Sequence, residues 1–149
     1  MKGTLALLLV TIAASFVLDV AGGEFERLSA EAAKKYTIAT HEGSQYATKF
    51  SDWSTEPMLH AMNVCESQPF TNRHCDIVAV VAADEHIRRV LYSPSNAYAD
   101  CVRKDLRLGA VAPKPPCDNW PVQIRLIDGP RPKYNGDKPF IILSSGHEP

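Results

Sequence analysis

The stretch CESQPFTNRHC covers residues 65 to 75, and its two cysteines bracket nine residues that include an arginine and a histidine. Such residue types can hold a metal, cycle between thiol and disulfide, or only crosslink the chain. A zinc site asks for ligand pairs two to four residues apart and four convergent donors. The gaps between the four cysteines are 9, 25 and 15 residues, and no Cys-x-x-Cys occurs. A redox centre asks for Cys-x-x-Cys or for one activated thiol. The spacing therefore points to a crosslink, and neither a metal nor a cofactor is expected. Four cysteines allow three pairings. Cys65–Cys75 with Cys101–Cys117 is the simplest, because each bond closes a short loop worth about 3 kcal/mol of chain entropy. His74, beside Cys75, then reads as a surface histidine on the connecting loop.

His41-Glu42 and His147-Glu148 are the other pairs that suggest chemistry. A helical zinc hydrolase needs a second histidine four residues after the first, but Gln45 stands there and Gly43 suggests a turn. Cleavage of RNA by 2′-hydroxyl attack needs a general base, a general acid and a cation for the phosphorane charge. His41, Glu42, Arg88, Arg125 and His147 are the residues of those types, so a small metal-independent ribonuclease is the alternative enzyme reading. Neither a nucleophile elbow nor a phosphate-binding glycine loop is present. Recognition without catalysis has its own candidates. The segment 129–139 is rich in proline and glycine and carries Arg131, Lys133 and Tyr134. Long segments of this composition lie at surfaces, and their prolines lower the entropy lost on ordering against a partner. Trp120, near Arg125, reads instead as a core residue.

The elements that must position these groups begin after a leader. Lys2 precedes an apolar run of 14 residues, Leu5 to Leu18, followed by the small residues Ala21, Gly22 and Gly23. This is the layout of a secretory signal peptide, with cleavage expected near Gly22, and the run falls short of the ~20 residues that span a bilayer. The expectation is a signal peptide over 1–22 and one domain over 23–149, secreted or periplasmic, with no stable membrane insertion after cleavage. Export places the cysteines in an oxidising compartment. Residues 23–85 hold 5 basic and 10 acidic side chains, and residues 86–149 hold 10 and 6. The basic residues are scattered, so the two halves are expected to neutralise each other on one globule.

Periodicity supplies the elements. Phe25, Leu28, Ala32 and Tyr36 fall at helical spacing. Tyr36, Ile38 and Thr40, then Tyr46, Thr48 and Phe50, alternate around Glu42-Gly43-Ser44 and predict a β-hairpin. A helix is predicted from Ser54 or Thr55 to Cys65, with Pro57 in its first turn, where proline is tolerated. CDIVAVVAA reads as a central strand buried on both faces, turning at Asp84-Glu85 into HIRRVLY. A helix from Ser93-Pro94 to about Leu106, a half-buried strand WPVQIRLID and a final strand FIILS complete the chain. These elements predict a small α+β domain with a mostly antiparallel or mixed sheet, two or three helices and two disulfides.

The segments Ala61-Met62-Asn63-Val64-Cys65 and Cys75-Asp76-Ile77-Val78-Ala79-Val80 resemble a pattern in small bacterial exported domains of unknown function. There a helix ends Ala-Leu-x-x-Cys and a valine-rich strand starts at a second cysteine. Met62 replaces the leucine, and the inter-cysteine loop carries Pro69 and Phe70. The resemblance covers residues 36–82 and implies a disulfide-stapled α+β module. The functional expectation is a non-catalytic binding, inhibitor or effector protein that acts on a protein or other macromolecule. Nucleic acid enters only under the ribonuclease alternative.

Overall fold

The valine-rich run after the second cysteine becomes the centre of a four-stranded sheet. The computed structural model of the chain describes residues 23–36, 41–127 and 141–144. Strand β1, His74–Val81, pairs antiparallel with β2, Ile87–Ser93, on one side and with β3, Trp120–Ile127, on the other. Strand β4, Ile141–Ser144, lies parallel to β3, so the order is β2-β1-β3-β4 and the sheet is mixed. Among the described residues there are three helices. They are α1 over residues 23–36, α2 over His41–Glu66 and α3 over Ala97–Asp105. The domain is therefore α+β, as its periodicities predict. No helix among the described residues is long and apolar enough to cross a membrane.

Helices cover both faces of the sheet. Cys75, Ile77, Ala79 and Val81 of β1 join Val122, Ile124 and Leu126 of β3 in the main core, under Phe50, Met58, Met62 and Cys65 of α2 and Tyr98 and Val102 of α3. Val78 and Val80 face the other way and meet Phe25 and Leu28 of α1. Helix α1 is amphipathic. Its outer side carries Glu31 between Arg27 and Lys35, at 3.7 and 3.2 Å. Its inner side adds a hydrogen bond from Ser29 Oγ to Gln123 Oε1 at 2.7 Å. Glu24 of α1 also pairs with Arg89 of β2.

The predicted β-hairpin over Tyr36–Phe50 is not formed, because α2 begins at His41 and is 26 residues long. Tyr46 and Phe50 satisfy both periods, two and four apart. What decides is the continuation of one buried stripe through Ser54, Met58, Ala61, Met62 and Cys65, a face only a helix can present. Thr48, which a strand would place with them, turns outward and donates to Ser44 O at 3.2 Å. Gly43 serves a close approach rather than a turn, since a Cβ there would stand 2.5 Å from Lys35 O of α1. Pro57 lies inside the helix rather than in its first turn. It costs about 3 kcal/mol there through the missing N–H, and the packed stripe on either side outweighs that.

Helix α3 starts at Ala97 rather than at the predicted Ser93-Pro94, because Ser93 still belongs to β2. Asn96 caps it by accepting from Ala99 N at 2.7 Å, which is the usual role of Asn at that position. Asn96 Nδ2 also donates to His74 O at 3.2 Å, fixing the helix to the start of β1. The turn after β1 passes through Glu85 with φ 68°, and Asp84 Oδ1 accepts from His86 N at 3.2 Å.

Neither expected disulfide is present. Cys65 bonds to Cys101, 36 residues away and 6.0 Å between Cα atoms. Cys75 is a buried thiol and Cys117 an exposed one. Loop length favours local pairs, but sulfur positions follow packing. Cys65 on the inner stripe of α2 meets the α3 face that holds Cys101. Cys75 points from β1 into the same core, and Cys117 sits in the proline-rich loop outside it.

Candidate functional site

Asp76 is a carboxylate in the third position of a strand buried on both faces. Its side chain is only 12 % exposed. A charge placed there must be paired, because desolvation costs several kcal/mol per unpaired ion. The register supplies the partner, since Asp76 lies opposite Arg125 of β3. Arg125 Nε donates to Asp76 Oδ1 at 2.8 Å and its terminal nitrogen donates to Oδ2 at 2.9 Å. This is the two-pronged geometry in which guanidinium binds carboxylate most strongly. His74 shares a face with Asp76, two residues earlier in the strand, and its Nε2 lies 3.0 Å from Asp76 Oδ1. His74 is thus a member of an ion cluster rather than a loop histidine.

The cluster marks one end of the sheet. His74 pairs with Ile127, the last residue of β3, and Arg125 pairs with Ile142 of β4. The segment that joins β3 to β4 therefore leaves the sheet beside His74, and because β4 is parallel it enters β4 at Ile141, opposite Ile124, three residues back along β3. Arg131, Lys133 and Tyr134 belong to that segment and lie outside the described residues, as does His147. The signal peptide expected over 1–22 lies outside them as well.

The remaining members of the expected catalytic set meet different partners. Arg88 of β2 pairs with Asp84 Oδ2 at 2.5 Å, beside the β1–β2 turn. That turn and the Asp76 cluster stand at opposite ends of β1, five residues and roughly 17 Å apart. His41 opens α2. Glu42 follows it and lines an open hollow of about 310 Å³ with Gln45, Tyr46, Lys49, Lys114 and Pro115. Tyr46 OH donates to Pro113 O at 3.1 Å, which ties the proline loop to α2. Burial raises the pKa of this phenol. Glu42, Arg88 and Arg125 are not brought together.

Trp120 is a half-buried core residue, as expected. Its ring packs edge-on to Tyr46 at 5.9 Å between centroids. The cation over it is Lys35, 4.4 Å from the ring centre, and not Arg125. Burial, and then the charge of Asp76, push the Cys75 thiol up to about 12. Tyr92 is pushed up to about 12 by burial first and by Cys75 second. Neither group is poised to react near neutral pH. The charge asymmetry of the two halves is met by pairs that join them: Arg125 with Asp76, Arg89 with Glu24 and Arg88 with Asp84.

Sequence reasoning missed His74 and Asp76. The signal was present as an aspartate inside a run otherwise written for full burial, which demands a buried cation. Compared with protein-family models, curated proteins and solved structures, the chain matches none of them.

Proposed function

We propose that this chain is a secreted or periplasmic binding module without catalytic function, acting on another protein at the sheet end where residues 128–140 leave β3. The observation that carries this reading is the His74–Asp76–Arg125 cluster, which stands at the end of β3 from which that segment departs. It provides a rigid, partly exposed polar base, with His74 37 % and Arg125 28 % exposed at their side chains. In the sequence that follows β3, Arg131, Lys133 and Tyr134 offer donors and an aromatic anchor of the kind enriched at binding hot spots. Pro130 and Pro132 limit the entropy lost when a partner orders the segment. The leader-like N-terminus and the resemblance to exported domains support the compartment.

The ribonuclease alternative needs a cation available to the phosphorane and two proton-transfer groups around one phosphate. Arg125 spends two donors on Asp76, and Arg88 is held by Asp84 at the far end of β1. Binding rather than transesterification is the reading that uses the site as built.

The test is a pull-down from the native extracellular or periplasmic milieu, followed by affinity measurement on whatever partner is recovered. Changing Arg131, Lys133 and Tyr134 together to alanine should weaken that affinity at least about tenfold, ~1.4 kcal/mol, and leave the thermal midpoint within a degree or so. An unchanged affinity in the folded triple variant removes this segment from the account. Cleavage of RNA by the purified chain would favour the hydrolase instead.

A further inference from the structure

The seam between α2 and α3 gathers more ligand chemistry than a crosslink uses. Cys65 stands in the last turn of α2 and Cys101 in the middle of α3, with Asp105 one turn further along the same helix. The two sulfurs and a carboxylate oxygen of Asp105 all lie within 4.8 Å of one another. Asp105 Oδ2 is 3.9 Å from Cys101 Sγ. A tetrahedral zinc ion with bonds of ~2.3 Å to sulfur and ~2.0 to 2.2 Å to oxygen has ligand–ligand edges of about 3.5 to 3.8 Å. The donors are spaced nearly as such an ion requires, except that the covalent bond holds the two sulfurs too close together.

Three further features fit an ion. Asp105 ends α3 at the negative pole of the helix dipole, where a carboxylate is disfavoured without a cation nearby. Gln68 Nε2 lies 3.4 Å from Cys101 Sγ, as an outer-shell donor to a metal-bound thiolate would. Gln68, Cys101, Arg103, Lys104 and Asp105 also line one open hollow of about 550 Å³. The hollow offers an entry path and water, and with Arg103 paired to Asp100 of the same hollow, Lys104 is the cation that offsets the one surplus charge of two thiolates and a carboxylate on a divalent ion.

We propose that reduction of the Cys65–Cys101 disulfide converts this seam into a site for a thiophilic divalent cation of the zinc type, with Cys65, Cys101 and Asp105 as ligands and a water from the hollow as the fourth. A dithiol reductant supplies two electrons and two protons and becomes its own disulfide, while the Cys65–Cys101 bond opens to two thiols. The ion then displaces those two protons to solvent as both sulfurs bind it. Thiolate donors select zinc or cadmium over magnesium or calcium. The seam thus has two closed states, one covalent and one metal-bridged, chosen by the thiol poise around it.

The probe is cadmium, titrated into the chain after reduction with a phosphine and its removal under argon. The ultraviolet thiolate-to-cadmium band should rise to one ion per chain in the reduced protein and be missing from the disulfide form. Asp105→Asn should raise the dissociation constant at least tenfold. Cys117→Ala, which removes the exposed thiol, should change neither stoichiometry nor affinity. An equal band in both redox states, a band lost with Cys117→Ala, or an unaltered constant in Asp105→Asn overturns the proposal. Should reduction unfold the chain, one equivalent of cadmium must restore the helical circular dichroism, and failure to do so overturns it equally.

Discussion

Successive residues of β1 look into two different environments. Cys75, Ile77, Ala79 and Val81 face α2 and α3 and are fully buried among apolar side chains. His74, Asp76, Val78 and Val80 face the other way, where α1 covers only the last two. The first side is sealed by a 26-residue helix and a disulfide. The second is half apolar and half ionic, with the ionic half beside the exit of residues 128–140. One strand therefore separates two tasks by its period of two. Apolar burial on the first side carries stability. On the second side, a paired charge is kept where an apolar residue would pack more cheaply, which is a reason to look there for recognition.

Removing the staple should produce the largest effect. Cys65→Ala with Cys101→Ala frees a loop of 36 residues, worth about 4 kcal/mol in the chain-entropy account. Denaturant unfolding should show that loss in the oxidised protein. A loss under 1 kcal/mol would mean that the sealed side does not depend on its crosslink.

The ionic side should respond less, and differently. Arg125→Ala leaves Asp76 largely buried without its main partner. Because the pair is partly exposed, the cost should be about 2 kcal/mol, below the 3 to 5 typical of fully buried pairs. Asp76→Ala with Arg125→Ala should recover at least half of it, since no unpaired charge remains. A double-mutant cycle measures that coupling. Additive losses would show that the two side chains act independently, and the contrast between the two sides would fail.

The smallest effect is a pH dependence seated on the sealed side. Burial raises the Cys75 thiol from its ordinary value of 9.0 to about 12. Below pH 9 the thiol is protonated in both folded and unfolded chains and contributes no slope. Above it the unfolded chain ionises first, so the folded state binds more protons and stability falls as pH rises toward 12. By pH 10 the loss should be roughly 1 kcal/mol. Cys75→Ala should remove the part of the decline between pH 9 and 10, before Tyr92, with its ordinary value of 10.0, adds its own. An unchanged alkaline limb in Cys75→Ala would contradict the buried thiol.

Much of this was written locally. The run CDIVAVV reads as a buried strand and is one, and the helix that carries Cys101 and Val102 ends near Leu106 as predicted, although it starts at the Asn96 cap and not at Ser93-Pro94. Phe25, Leu28 and Ala32 form one helical stripe in the sequence and in the fold. The segment around Tyr46 was misleading because a short window of Tyr, Thr and Phe fits two periods equally well. Only the longer stripe to Cys65 separates them.

By itself, the sequence determined the α+β class, the central strand and its return partner, and the apolar faces, because side-chain period and capping are properties of neighbouring residues. Tertiary structure alone decided which cysteines bond, that Asp76 meets Arg125, and that residues 128–140 leave β3 at the end where that pair stands. Those facts join residues 36 and 49 positions apart. They depend on strand register and on the seam between two helices, and neither of these leaves a local mark in the chain.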